Sequence, residues 1–80
     1  MIRGEIISFL QSGQEMQNRL RIEFVIRTNT IIQELNEFIA QNNPGLEKIT
    51  LKAGSAGKAI VSKDTYNFLR EAFGIEDENG

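Results

Sequence analysis

The sequence predicts a small single domain of the α+β class, with its elements in the order strand, strand, helix, strand, short strand, helix. Two observations predict this class. Residues 20–28 carry a strict two-residue alternation, as a half-buried strand does. Residues 31–39 and 66–73 instead repeat apolar side chains at three- and four-residue spacing, which is typical of amphipathic helices. The predicted sheet is antiparallel or mixed, and both helices are expected on one of its faces.

The first two predicted strands form a hairpin. A helix at the start of the chain is the alternative, because apolar residues before residue 20 could form a loosely helical stripe. Ser8, Ser12 and Gly13 lie inside that stripe, however, and have weak or poor helix propensity. The strand interpretation explains more of the pattern, so we expect two paired strands with a loop at residues 11–15.

The register of this hairpin is predicted by pairing positions whose numbers sum to 26. Residues 2–10 then lie opposite residues 16–24, and most of the inward pairs contain a large apolar residue. Two pairs of opposite charge face outward, Arg3 with Glu23 and Glu5 with Arg21. A shift of one residue would lose both patterns together, which favours this register.

Both helices have predicted start and stop signals. The first begins at Thr30, which matches a capping box with Gln33. It ends before Pro44, because the residue before a proline is pushed out of the helical region. Ser62 is placed to cap the second helix, and Gly74 suits the left-handed conformation that ends it.

Two further strands complete the predicted sheet. Ile49 and Leu51 alternate with polar neighbours in the third strand, and a very short fourth strand is expected at residues 59–61. The third strand could lie beside the first or at the other edge of the sheet, and the sequence leaves both arrangements open. We expect one domain over residues 1–75 and a short acidic, disordered tail at residues 76–80.

The composition excludes several classes of chemistry. The chain of 80 residues has no cysteine and no histidine, which removes disulfides, thiolate chemistry, the usual zinc sites and an imidazole general base. Its formal net charge of −2 excludes a generally basic nucleic-acid coat protein and leaves a local basic patch open. No apolar segment approaches the roughly 20 residues that span a bilayer. We expect a cytoplasmic protein with no membrane partner, no metal and no cofactor.

The sequence does not predict an enzyme. General acid and base catalysis needs groups whose pKa lies near neutrality. The sequence does not place two carboxylates where they would clearly form a catalytic pair. Glu34 and Glu37 lie one turn apart on the solvent face of the first predicted helix. The serines have no histidine to activate them.

Three apolar residues point outward under the predicted register and form a candidate interface, namely Ile7, Phe9 and Val25. Apolar side chains on an otherwise charged sheet face are typical of a contact with a partner. A two-fold homodimer would also enlarge the small core of this domain. The alternative is that a twist of the hairpin packs these residues against a loop of the same domain.

The same register places six basic side chains on the outer face of the sheet. One of them is Arg3, and the other five form a candidate nucleic-acid or anion-binding set, namely Arg19, Arg21, Arg27, Lys48 and Lys52. Phosphate backbones or an acidic protein surface would suit such a face. The alternative is that these charges only keep an open sheet soluble and protect its edges.

A glycine-containing loop is a candidate phosphate site, with the residues Gly54, Ser55, Gly57 and Lys58. Backbone amides of such turns can bind phosphate, and a lysine adds charge. A Walker loop is excluded, because the chain has Lys52 where the motif needs glycine and Ala59 where it needs serine or threonine. An ordinary hairpin loop is the alternative.

The leading hypothesis is a non-enzymatic binding or regulatory protein that acts through protein–protein interaction as a homodimer. Its small size and polar surface are typical of accessory proteins of bacteria, plasmids or phages. Nucleic-acid binding through the basic sheet face is the first alternative. Sequestration of a small phosphorylated ligand at residues 54–58 is the second.

Overall fold

The computed structural model describes residues 3–54 and 57–75, and within them it confirms a small α+β domain with an antiparallel sheet. Three helices and four strands are present in these residues. Their bounds are α1 Arg3–Gln11, β1 Gln14–Glu15, β2 Arg21–Val25, α2 Asn29–Asn42, β3 Thr50–Leu51, β4 Lys58–Ser62 and α3 Lys63–Ala72. The tail predicted at residues 76–80 lies outside the described residues.

The sheet has the order β1-β2-β4-β3, and every neighbouring pair is antiparallel. Its third strand therefore lies at the edge away from β1, with β4 between β3 and β2. Ile22 and Phe24 of β2 and Ala59 and Val61 of β4 are buried against the helices. All three helices contribute to this one core, as a layer of helices on one sheet face requires.

The structure corrects the predicted first strand, because residues 3–11 form helix α1 instead. Ile6, Phe9 and Leu10 share one helical face and are all buried. Ser8 is exposed, so its weak helix propensity is outweighed by the burial of the opposite face. The strand that pairs with β2 is β1, which lies in the segment predicted as the hairpin loop.

Helix α2 begins earlier than the predicted capping box at Thr30 and Gln33. Its N-cap is Thr28, whose hydroxyl oxygen accepts a hydrogen bond of 3.0 Å from the Thr30 amide. The predicted end is confirmed, since the helix stops at Asn42, two residues before Pro44.

Both predicted ends of α3 are confirmed. The hydroxyl oxygen of Ser62 caps its start by accepting from the Thr65 amide at 3.3 Å. Gly74 has a φ of 72°, and the amides of Gly74 and Ile75 donate to the carbonyls of Glu71 and Arg70. These two bonds form a Schellman motif, which satisfies carbonyls at the helix end.

Two side chains hold the segment that leads into β3. The amide of Asn36 both donates to the Ile49 carbonyl at 2.9 Å and accepts from the Ile49 N–H at 2.8 Å. Thr65 is fully buried, and its hydroxyl donates to the Glu47 carbonyl at 2.7 Å. Asn36 therefore attaches α2 to this segment.

Helix α1 packs on the sheet through the ring of Phe24. The rings of Phe9 and Phe24 stack with centroids 4.4 Å apart, and Tyr66 lies against the same ring at 5.7 Å. The chain between α1 and β1 passes this cluster at Gly13. A Cβ atom there would lie 2.7 Å from Ile22 Cγ2 and 2.8 Å from Phe24 Cε1, closer than side chains can approach.

Gly13→Ala is expected to destabilise the protein by about 1–3 kcal/mol, because the added methyl group overpacks this junction. Urea unfolding measures the change. Gly4→Ala is the matched control, because no atom lies within 4 Å of a Cβ at that position. A Gly13→Ala protein as stable as Gly4→Ala would contradict the packing described at this junction.

No helix among the described residues has the length and apolar character needed to cross a membrane.

Candidate functional site

A groove of about 680 Å³ lies between α1 and the end of β2, and we call it the α1–β2 groove. Helix α1 forms one wall, the end of β2 with the loop that follows forms the other, and α2 closes one part of it. The lining residues are Gly4, Glu5, Ser8, Phe9, Ser12, Val25, Arg27, Thr28 and Ile31.

Small side chains on α1 and directly after it make room for this groove. Gly4, Ser8 and Ser12 recur every four residues, and residues so spaced lie on one side of a helix. Phe9 and Ile31 supply apolar surface; Phe9 is only 7% exposed because its ring stacks on the sheet. Val25 is 63% exposed at the opposite wall. The groove is therefore apolar and open to solvent.

The hydrogen bonds of β2 show which of its backbone groups face the groove. The Ile26 amide donates to the Gly57 carbonyl at 2.8 Å, and the Leu20 carbonyl accepts from Lys63 at 3.0 Å. Even-numbered residues of β2 therefore hydrogen-bond with β4. Because the pattern alternates in an antiparallel pair, the N–H and C=O of Val25 point to the other side, toward the position of β1.

Strand β1 is too short to have a residue opposite Val25. It pairs Gln14 with Glu23, and the next position before Gln14 is Gly13, where the chain turns toward α1. The Ser12 amide is used within the end of that helix, where it donates to the carbonyls of Ser8 and Phe9. Within residues 3–54 and 57–75, the N–H and C=O of Val25 have no hydrogen-bond partner. An open sheet edge therefore lies inside the α1–β2 groove.

The two walls of the groove carry opposite charges. Glu5 lies on α1, and Arg27 follows β2. Neither forms an ion pair with another residue that the structure describes. Both charges are therefore available to a bound partner.

The structure separates the three residues of the predicted interface. The outward placement of Phe9 is wrong, because its ring is in the core against Phe24. Phe9 and Val25 nevertheless both line the α1–β2 groove, whereas Ile7 is half-buried on α1 and does not line it. The hairpin register placed Phe9 incorrectly because it treated a helical segment as a strand.

The predicted basic face is likewise dispersed. Arg3 donates to the Phe73 carbonyl at 2.8 Å, and Arg19 lies in the β1–β2 turn with a φ of 60°. Arg27 lines the α1–β2 groove. Lys48 is exposed beside the start of β3. Lys48 and Arg21, however, line one pocket on the sheet, so these two members of the predicted set stay together.

Two carboxylates, Glu23 and Glu47, pair with three cations on the outer face of the sheet and offset part of their charge. Glu23 binds Lys52 at 2.5 Å and Lys58 at 3.2 Å, and Arg21 binds Glu47 at 2.9 Å. The predicted pairs of Arg3 with Glu23 and of Glu5 with Arg21 are therefore wrong, because Glu23 and Arg21 have other partners. The pKa of the Glu23 carboxyl lies below its usual value of 4.5. The hydrogen bond from Lys52 lowers it most and the hydrogen bond from Lys58 lowers it further, whereas burial raises it by less.

The candidate phosphate loop connects β3 to β4. Gly54 and Gly57 have φ values of 77° and 78°, and the Lys52 amide donates to the Lys58 carbonyl at 2.9 Å to close the hairpin. Lys58 directs its ammonium group to Glu23. Ser55 lies outside the described residues, and a phosphate site here stays a prediction.

Sequence reasoning missed most of the groove. Gly4, Ser8, Ser12, Thr28 and Ile31 line it without having been candidates. The four-residue spacing of the first three is a helical signal that was present in the sequence. The weak helix propensity of Ser8 and Ser12 hid this signal, because small residues also give a helix face with little side-chain volume.

Comparison of the chain with protein-family models, with curated proteins and with solved structures finds no match. In the described part of the chain, no three acidic, histidine or cysteine side chains are grouped so that they could hold a metal ion.

Phe9→Ala is expected to lower the free energy of unfolding by about 3–5 kcal/mol, because it truncates a core ring. Val25→Ala, on the opposite wall and exposed, is the control and should change stability by less than about 0.5 kcal/mol. Urea unfolding compares the two variants. If Phe9→Ala were as stable as wild type and only had a lower molar mass in solution, Phe9 would be an interface residue and not a core residue.

The contribution of Glu23 to stability is expected to depend on pH. Since its pKa is lower in the folded protein, the paired carboxylate stabilises the fold above its usual pKa and loses this effect as the pH falls through the folded pKa. At pH 7 the urea concentration at the midpoint of unfolding should therefore be higher for wild type than for Glu23→Gln. This difference should shrink between about pH 5 and pH 3. Glu37→Gln removes an exposed carboxylate elsewhere and is the control. A difference that stays constant with pH would contradict this role of the ion pairs.

Proposed function

We propose that this protein is a non-enzymatic binding module that acts through protein–protein interaction, and that its partner binds in the α1–β2 groove. The observation that carries the proposal is an open apolar groove that exposes an unpaired strand edge. Apolar surface of this kind on a small domain marks sites of interaction. Val25, at 63% exposure, is one of the three most exposed large apolar side chains among the described residues.

The outer face of the sheet supports nucleic-acid binding less well. Lys52 and Lys58 share the carboxylate of Glu23, and Arg21 is paired with Glu47. A phosphate backbone would have to compete with these carboxylates for each cation. Electrostatic attraction is the main source of non-specific affinity for nucleic acids, so cations that already have carboxylate partners favour a protein partner over a nucleic acid.

A homodimer is part of the proposal, and a second copy is then the occupant of the groove. Such an interface would be self-complementary, with the same residues contributed by both copies. Glu5 and Arg27 suit this requirement, because each could face its opposite charge on the second copy. A partner other than a second copy would meet the same pair of charges.

Selection of a phage-displayed library of random 12-residue peptides on the purified protein tests the groove. Ser8→Trp fills the groove from α1, whereas Gln11→Trp adds the same ring at an exposed α1 position that does not line it. Isothermal titration measures the affinity of the selected peptides for each protein. Their affinity for Ser8→Trp should be at least about tenfold lower than for wild type, and their affinity for Gln11→Trp should equal that for wild type.

Equal binding to both tryptophan variants, or no enrichment of any peptide, would contradict the proposed site. Light scattering on the same preparations reports whether wild type is a homodimer. A dimer that Ser8→Trp converts to a monomer would identify a second copy as the occupant.

A further inference from the structure

We infer that the partner binds the α1–β2 groove as an extended segment that hydrogen-bonds to the backbone of Val25 and so adds a strand to the sheet. This inference rests on the proposed function and specifies the kind of partner. The occupant is a short extended peptide segment of another protein, with apolar residues at alternate positions.

The backbone of β2 supports this mode of binding. The N–H and C=O of Val25 have no partner among the described residues, and both point to the side of the sheet where β1 has ended. An unpaired strand edge is a template for another strand, and domains that bind extended peptides use such edges. A single partner residue in an antiparallel pair could bond to both groups.

The groove has room for that strand. The next ladder position opposite Val25 would belong to Ser12, but Ser12 lies at the end of α1, where its amide is bonded within the helix. The α1–β2 groove, at about 680 Å³, borders both residues. An added strand would therefore continue the direction of β1 without displacing a strand that is already present.

The alternation of a strand predicts the chemistry of the peptide. Val25 points to the exposed face of the sheet, and residues directly opposite one another share a face. The peptide residue opposite Val25 therefore also faces outward, and its two neighbours face Phe9 and Ile31. We expect apolar side chains at those two neighbouring positions.

Arg27 adds a charge preference at one end. It lies two positions beyond Val25 and forms no ion pair with a described residue. A carboxylate on the peptide near this guanidinium would gain a charge-assisted hydrogen bond. The selected peptides should therefore share two apolar residues separated by one position, with an acidic residue nearby.

Val25→Pro tests the strand pairing with little disturbance of the sheet. Proline removes the open N–H, and the Val25 amide is not used in the pairing with β4. Peptides selected on wild type should bind Val25→Pro at least about tenfold more weakly. Val25→Thr is the conservative variant, and it should restore most of the binding because it retains the amide.

Amide hydrogen exchange of wild type gives a second measurement that needs no variant. A saturating selected peptide should slow the exchange of the Val25 amide by at least about tenfold. The Ile26 amide already donates to Gly57 and is the internal control. This measurement decides the question if Val25→Pro does not fold.

The outcomes separate the two proposals. Peptides that lose affinity to Ser8→Trp, but bind Val25→Pro as wild type and leave Val25 exchange unchanged, would overturn strand pairing and retain the groove as the binding site. Peptides that distinguish neither Ser8→Trp nor Val25→Pro from wild type would overturn both. Loss of binding with both variants, together with slowed Val25 exchange, is the expected result.

Discussion

The packing of α1 onto Phe24 is the constraint on which the rest of this structure depends. Phe9 stacks on the ring of Phe24, Tyr66 contacts the same ring, and the Tyr66 hydroxyl donates to the Leu10 carbonyl at 2.9 Å. Gly13 must lack a side chain for the chain to pass this cluster. Since interiors are close-packed, a change at this junction moves the helix relative to the sheet.

The same junction creates the candidate site. Strand β1 begins only after Gly13 and has two residues, so β2 extends beyond its neighbour. Helix α1 then lies beside the uncovered part of β2 and presents small residues to it. Proteins usually protect a strand edge with charge, a bulge or a covering element. Here the edge is left open beside an apolar wall, which is the arrangement that a peptide partner can use.

Elsewhere the structure satisfies its polar groups internally. Asn36 and Thr65 hold the segment before β3, and no buried side-chain polar atom among the described residues lacks a hydrogen bond. The outer face of the sheet follows the same principle, because Glu23 pairs with two lysines. The backbone N–H and C=O of Val25 have no partner among the described residues, and they border the α1–β2 groove.

The sequence by itself determined the α+β class, β2, the body of α2 and both ends of α3. Those features depend on local signals, such as the alternation before Val25, the cap at Ser62 and the left-handed Gly74. The tertiary structure decided that residues 3–11 are helical, that β3 lies beside β4, and that a groove opens beside Val25. A nine-residue segment with mixed apolar spacing is compatible with a strand or a helix, and the burial of Ile6, Phe9 and Leu10 in the folded protein selects the helix.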